Sequence, residues 1–233
     1  MEREDEERRL RREMRRIKRK KEERIRQLIL AGLFTAASVI ILAAVIVLFK
    51  NLFQKKQVDP GEVQVPEYVK VDLLTPNPYS RPQKPLEEVR GIVVHYVANP
   101  CSTARENRSY FEQLKDQTGQ NATSASSHFV IGLEGEVVQC VPLTEVAYAS
   151  NHRNSDTISV ECCIPDESGK FTDETYQSLV ELVAWLMGRY DLTTDDVIRH
   201  YDVTGKVCPK FFVDHEDAWD QFHKDVEQAM KKK

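Results

Sequence analysis

Residues 28–49 form a run of 22 side chains without a charge, rich in Leu, Ile, Val and Ala. As a helix rising about 1.5 Å per residue, this run matches the roughly 30 Å hydrocarbon core of a bilayer. A buried core helix would seldom stay uncharged for so long. A cleaved leader fits less well, because the 26-residue charged stretch before the run exceeds a usual n-region and no small-x-small site follows Phe49. The run therefore predicts one uncleaved transmembrane helix over 28–49. It divides the chain into a short charged tail, 1–27, and a long remainder.

Charge sets the expected orientation. Residues 1–26 hold 13 Lys or Arg against 8 Asp or Glu, whereas 51–233 hold 19 against 29. Basic residues flanking a span stay on the cytoplasmic side, so the N-terminus is expected inside and everything after Lys50 outside, in a single-pass arrangement at the cell membrane. Opposite charges at i,i+4 in the tail, such as Glu7 with Arg11 and Glu22 with Arg26, suit a solvated helix. Residues 50–68 contain Asp59-Pro60-Gly61 and Pro66 and read as a linker. Fully extended, it reaches about 60 Å at most, keeping the domain 69–233 close to the membrane. That domain is acidic and has no Gly-rich phosphate loop, so nothing supports a nucleic-acid partner.

Within 69–233, apolar runs alternate with helical patterns. Gly91-Ile-Val-Val-His95, Ser126-Ser-His-Phe-Val-Ile131, Glu136-Val-Val-Gln-Cys-Val141 and Thr157-Ile-Ser-Val-Glu-Cys-Cys-Ile164 read as strands. Gly132 to Gly135 makes the second and third of these a hairpin. Helices are expected from about Thr103 to Asp116, from Thr172 or Asp173 to near Tyr190, and from His215 to Met230. Strands interleaved with helices predict an α/β (α+β) domain with a single mixed β-sheet flanked by helices.

Two of the strand-like runs end in histidine: His95, and His200 at the close of Asp196-Val-Ile-Arg-His200. Cys208 follows eight residues after His200. Two imidazoles and a thiolate are three good zinc ligands, leaving a fourth tetrahedral position open, the pattern of catalytic rather than structural zinc. Each residue alone equally suits a packed core side chain. Lys206, two residues before Cys208 in a glycine-containing loop, favours the site reading, since a cation beside a metal can steady an oxyanion.

The four segments Gly91-Ile-Val-Val-His-Tyr96, Ser126-Ser-His-Phe-Val-Ile-Gly132, Thr157-Ile-Ser-Val-Glu161 and His200-Tyr-Asp-Val-Thr-Gly-Lys-Val-Cys-Pro209 resemble, in order, those of zinc-dependent N-acetylmuramoyl-L-alanine amidases of the type-2 amidase and peptidoglycan-recognition-protein superfamily. The resemblance spans about Val71 to Trp219. It implies that His95, His200 and Cys208 bind Zn2+, that Glu161 moves protons and that Lys206 stabilises developing charge. It further implies hydrolysis of the amide between N-acetylmuramic acid and L-alanine in peptidoglycan by a bacterial enzyme, expected here as a monomer. The same superfamily contains non-catalytic peptidoglycan-recognition modules, which often lack the cysteine ligand; Cys208 is present.

Two departures from the pattern stand out. Some relatives carry tyrosine where this chain has Ser127, and many have an aromatic-His pair where it has Tyr148-Ala149. His152 is a candidate replacement for that histidine as a substrate contact. Tyr96 and Asn99, beside the His95 strand end, and His128, for which an ordered structural histidine is the favoured reading, complete the candidate substrate contacts. Cys101, Cys140, Cys162 and Cys163 remain, an even number that permits either disulfides or free thiols outside the cell.

Overall fold

In the computed structural model, the described residues are 65–118 and 121–232, together with the helical Leu42 and Val45. The chain divides into two units, Met1–Gln54 and Lys55–Lys233, and the fold below is that of the second. No helix among the described residues is long and apolar enough to cross a membrane. The expected tail (1–27), span (28–49) and most of the linker (50–68) lie outside the described residues, Leu42 and Val45 apart.

Six strands form one mixed sheet: β1 (Val69–Val71), β2 (Gly91–Tyr96), β3 (Phe129–Ile131), β4 (Val137–Gln139), β5 (Thr157–Cys162) and β6 (Val197–Arg199). Their order across the sheet is β1-β4-β3-β5-β2-β6. All neighbours are parallel except the β3–β4 hairpin. Its turn closes through Gly132 N–H to Glu136 O at 2.9 Å, with Gly135 at φ +83°, a conformation that glycine adopts without a Cβ penalty. The predicted mixed sheet is thus present, with β1 as an edge strand that the sequence pattern did not reveal.

The helices are α1 (Ala104–Gln113), α2 (Asp173–Tyr190), α3 (His200–Thr204), α4 (Lys210–Asp214) and α5 (Glu216–Lys231). Thr103 caps α1: its hydroxyl accepts from Glu106 N–H while the Glu106 carboxylate accepts from Thr103 N–H. Thr172 caps α2, its hydroxyl accepting from Thr175 N–H without a reciprocal bond. Leu179, Leu182, Val183, Leu186 and Met187 then repeat at helical spacing and are buried. On α5, Trp219, Phe222 and Val226 occupy the matching stripe.

These two helices cover one face of the sheet. Ile92 and Val94 of β2 and Ile158, Val160 and Cys162 of β5 join the α2 and α5 side chains in one core. The alternate residues turn to the other face, where Val130, Val138, Cys140 and Cys163 pack with Ala104 and Phe111 from the α1 side. His95 and Glu161 belong to this second face, and they are register partners on adjacent parallel strands. The sheet thereby sets an imidazole beside a carboxylate.

Several strands are shorter than the sequence pattern predicts, and two of the differences bear on the site. The third strand begins at Phe129 rather than Ser126, because Ser127 and His128 spend their polar groups on β5 instead of a ladder. The run expected to carry His200 stops at Arg199, and His200 opens α3. Arg199 is buried and pairs with Asp202 at 2.9 Å and Glu216 at 2.7 Å, tying the start of α3 to α5. All five cysteines are free thiols; Cys101 is exposed and the other four are buried.

Candidate metal centre and active site

Three side chains from three places in the sequence meet above the β2–β5 pair. His95 is the penultimate residue of β2, His200 starts α3, and Cys208 lies in the loop joining α3 to α4. Their potential ligand atoms all lie within 4.8 Å of one another. Cys208 Sγ is 3.9 Å from His95 Nδ1, and the imidazole centroids are 4.7 Å apart at 60°. Tetrahedral zinc with Zn–S near 2.3 Å and Zn–N near 2.0 Å would separate sulfur from nitrogen by about 3.5 Å. A small contraction would meet that distance.

A buried atom without a partner supplies the sharper test of fit. His200 Nε2 lies 3.0 Å from Asn151 Oδ1, which can only accept, so Nε2 carries the proton and Nδ1 keeps its lone pair. Nδ1 is buried and makes no hydrogen bond among the described residues. A stranded acceptor facing a thiol and a second imidazole suits a cation better than it suits packing.

The electrostatics point the same way. Burial, reinforced by His200 and Lys206, holds His95 well below the usual imidazole range, and burial with Lys206 lowers His200. Both rings are therefore neutral, as ligands must be. Burial, aided by Glu161, pushes the Cys208 thiol up to about 12, although the Tyr96 N–H and Lys206 pull the other way. Such a thiol stays protonated at neutral pH until a bound cation compensates its charge.

Glu161 Oε1 lies 3.9 Å from His95 Nδ1 and its side chain is 18% exposed. Its second oxygen is buried without a hydrogen bond among the described residues. Burial raises this carboxyl to about 7, against the opposing pull of Lys206. A group poised there can accept and return a proton near neutral pH. Lys206 is exposed on the α3–α4 loop, just after Gly205, whose φ of +78° ends α3 in the left-handed conformation. Beside the larger effects of burial, its charge lowers His95, His200 and Glu161, so it lies within electrostatic reach of the centre.

The expected substrate contacts fare differently. Asn99 and His152 are exposed, and His152 lies on the 3-10 turn Asn151–Ser155, whose first residue touches His200. Tyr96 follows His95, so strand alternation sends its half-buried ring to the opposite face, against the α2–α5 core. Its backbone N–H hydrogen-bonds toward Cys208, and burial, with a contribution from Cys208, raises its phenol. His128 is buried with both ring nitrogens occupied. Nδ1 accepts from Ser159 N–H at 3.0 Å, so Nε2–H donates to Glu145 O at 2.9 Å. That leaves no ring nitrogen for a substrate; the ring instead pins β5 two residues before Glu161. Ser127 is also buried, its hydroxyl committed to the Phe129 and Ser159 carbonyls.

Comparison with known proteins bears directly on this geometry. The family model described as N-acetylmuramoyl-L-alanine amidase matches residues 85–211, more than half of the chain and all five residues of the centre. The chain belongs to that family. It is 35% identical over 178 residues to N-acetylmuramoyl-L-alanine amidase CwlL of Bacillus licheniformis, covering 71% of this chain and 47% of that protein. The chain thus spans about half the length of the curated relatives it matches. Among solved structures, the PlyG catalytic domain superposes with a TM-score of 0.58 at 24% identity, covering 70% of this chain and 94% of that one. PlyL gives 0.54 at 23%, covering 68% and 96%. These two likenesses concern the fold alone.

Ser150 and Asn151, which contact the two imidazoles, are residues that no sequence pattern singles out. Their neighbour His152 is conspicuous as an imidazole, whereas a serine and an asparagine in a loop look like ordinary turn residues. The positive φ of Asn151, +54°, is visible only in the structure.

Proposed function

We propose that this chain is a zinc-dependent N-acetylmuramoyl-L-alanine amidase acting on peptidoglycan, with His95, His200 and Cys208 as the metal ligands. The observation that carries the reading is the meeting of those three side chains beside the Glu161 carboxyl, with His200 Nδ1 stranded toward them. Family membership and CwlL's name support the choice of substrate.

Zinc held by these residues would supply Lewis acidity, polarising the scissile carbonyl and making water acidic enough to attack near neutral pH. Glu161, raised to about 7, accepts the proton that the attacking water loses and delivers it to the leaving nitrogen of L-alanine as the C–N bond breaks. Lys206 places its cation where the carbonyl oxygen gains negative charge. The products are the free lactyl carboxylate of the glycan and a stem peptide with a new amino terminus.

We also propose that residues 28–49 anchor the enzyme in the membrane of a bacterium, with 1–27 inside and 69–233 facing the wall. The uncharged run and the basic tail support this placement. The test uses the full chain in detergent on purified peptidoglycan, following new N-terminal L-alanine by mass spectrometry. Release that is abolished by a strong chelator and restored by zinc is the expected result. Cleavage that persists unchanged after verified zinc removal refutes the metal mechanism. Protease accessibility of the tail and domain in intact and opened cells tests the orientation.

A further inference from the structure

The two imidazoles of the centre come from distant segments, yet both are gripped from one short turn. His95 Nε2 lies 3.1 Å from Ser150 Oγ in a fully buried contact, and His200 Nε2 lies 3.0 Å from Asn151 Oδ1. Ser150 and Asn151 are consecutive. Asn154 stiffens the segment, its Oδ1 accepting from both Ala149 N–H and Ser150 N–H. Thr157 Oγ1 donates to Arg153 O at 2.6 Å and ties the turn directly to the start of β5.

We infer that Ser150 and Asn151 are positioning residues for the metal: from adjacent places on one rigid turn they hold both rings by Nε2, so that each presents Nδ1 to the shared cation position. The inference rests on the proposed metal role of His95, His200 and Cys208. An imidazole can bind a metal through only one nitrogen while the other keeps its proton, and whichever partner the second nitrogen finds selects the tautomer and the ring plane. Asn151 Oδ1 has no proton to give, so it selects the Nε2–H form of His200 outright. Ser150, able to accept, does the same for His95 once Nδ1 is engaged. A single turn thus sets two ligands, and a displacement of the turn would misalign both.

Asn151 sits at φ +54°, which suits Asn, Asp and Gly but strains Ala. Asn151→Gly therefore removes the carboxamide while leaving the backbone conformation accessible, and Asn151→Asp retains an acceptor. The experiment measures the zinc dissociation constant of the full chain in detergent by competition with a chromophoric chelator, together with the visible spectrum of the cobalt(II)-loaded protein and circular dichroism. Asn151→Gly and Ser150→Ala are each expected to weaken zinc binding by about 10- to 100-fold and to alter the cobalt bands. Asn151→Asp should stay within a few-fold of wild type, and Ser155→Ala, on the same turn without contact to either ring, should match it. Wild-type affinity in Asn151→Gly overturns the inference, as does an equal loss in Asn151→Asp, which would mean the turn and not the acceptor matters. A wild-type chain that takes up no zinc sinks the metal reading and this inference with it; the other two outcomes leave the metal reading standing.

Discussion

His128 offers a quantitative test of how the strand bearing Glu161 is held. Its ring is 1% exposed and locked as the neutral Nε2–H tautomer between Ser159 N–H and Glu145 O. Protonating Nδ1 would set two N–H groups against each other in a buried site. Burial accordingly lowers this imidazole from 6.5 to about 4, the bond to Glu145 O opposing only in part. Because the folded value lies below the unfolded one, the unfolded chain binds more protons between those pH values, and stability rises with pH there. The contribution is fully present above about 6.5, is lost progressively as pH falls toward 4, and flattens below that. At about 1.36 kcal/mol per pH unit, the loss attributable to His128 is about 3 kcal/mol. Urea unfolding of the full chain in detergent at pH 4, 5, 6 and 7 should show this slope in wild type. His128→Asn can still accept from Ser159 N–H but does not titrate, so its slope should be shallower by about that amount. The other lowered imidazoles, His95, His200 and His223, are common to both proteins and cancel in the comparison. Parallel pH dependences for the two proteins would refute the neutral-lock argument.

Three further outcomes follow from the same geometry. Glu161→Gln should keep stoichiometric zinc, measured by elemental analysis, while turnover on peptidoglycan falls by roughly 10²- to 10⁴-fold; loss of zinc together with activity would make Glu161 structural. Lys206→Ala should lower kcat by about 10²-fold with zinc affinity little changed, and an unaltered kcat would remove Lys206 from the chemistry. Phe222→Ala, emptying a fully buried position between Phe212, Trp219 and Tyr176, should cost about 3–5 kcal/mol in chemical unfolding; a loss below about 1 kcal/mol would contradict the tight packing of α5 on α2.

Local patterns are legible in the residues themselves. The apolar runs Gly91–His95 and Thr157–Ile164 announce buried strands, and the 3.6-residue stripe after Thr172 announces α2. A period-2 or period-3.6 pattern needs only its own segment to reveal which face is buried. The site ligands are legible for a similar reason: histidine, cysteine, glutamate and lysine carry their chemistry in the residue type, and four motifs in a fixed order mark the family. What the pattern does not show is direction. Tyr96 and His128 sit inside those motifs yet face away from the cleft, because strand parity and a buried hydrogen-bond lock decide where their rings go.

The one-dimensional chain thus determined which segments become strands and helices, since burial periodicity is a property of neighbours in sequence. It also determined which side chains were able to bind a cation. Only the tertiary structure decided that His95 and Glu161 would be register partners across parallel strands, or that β1 would join the sheet edge. It alone turned Ser150 and Asn151 toward two imidazoles. Such pairings join residues up to 113 positions apart, as for His95 and Cys208, and depend on strand order, loop closure and a left-handed turn. None of these leaves a periodic trace in the residues themselves.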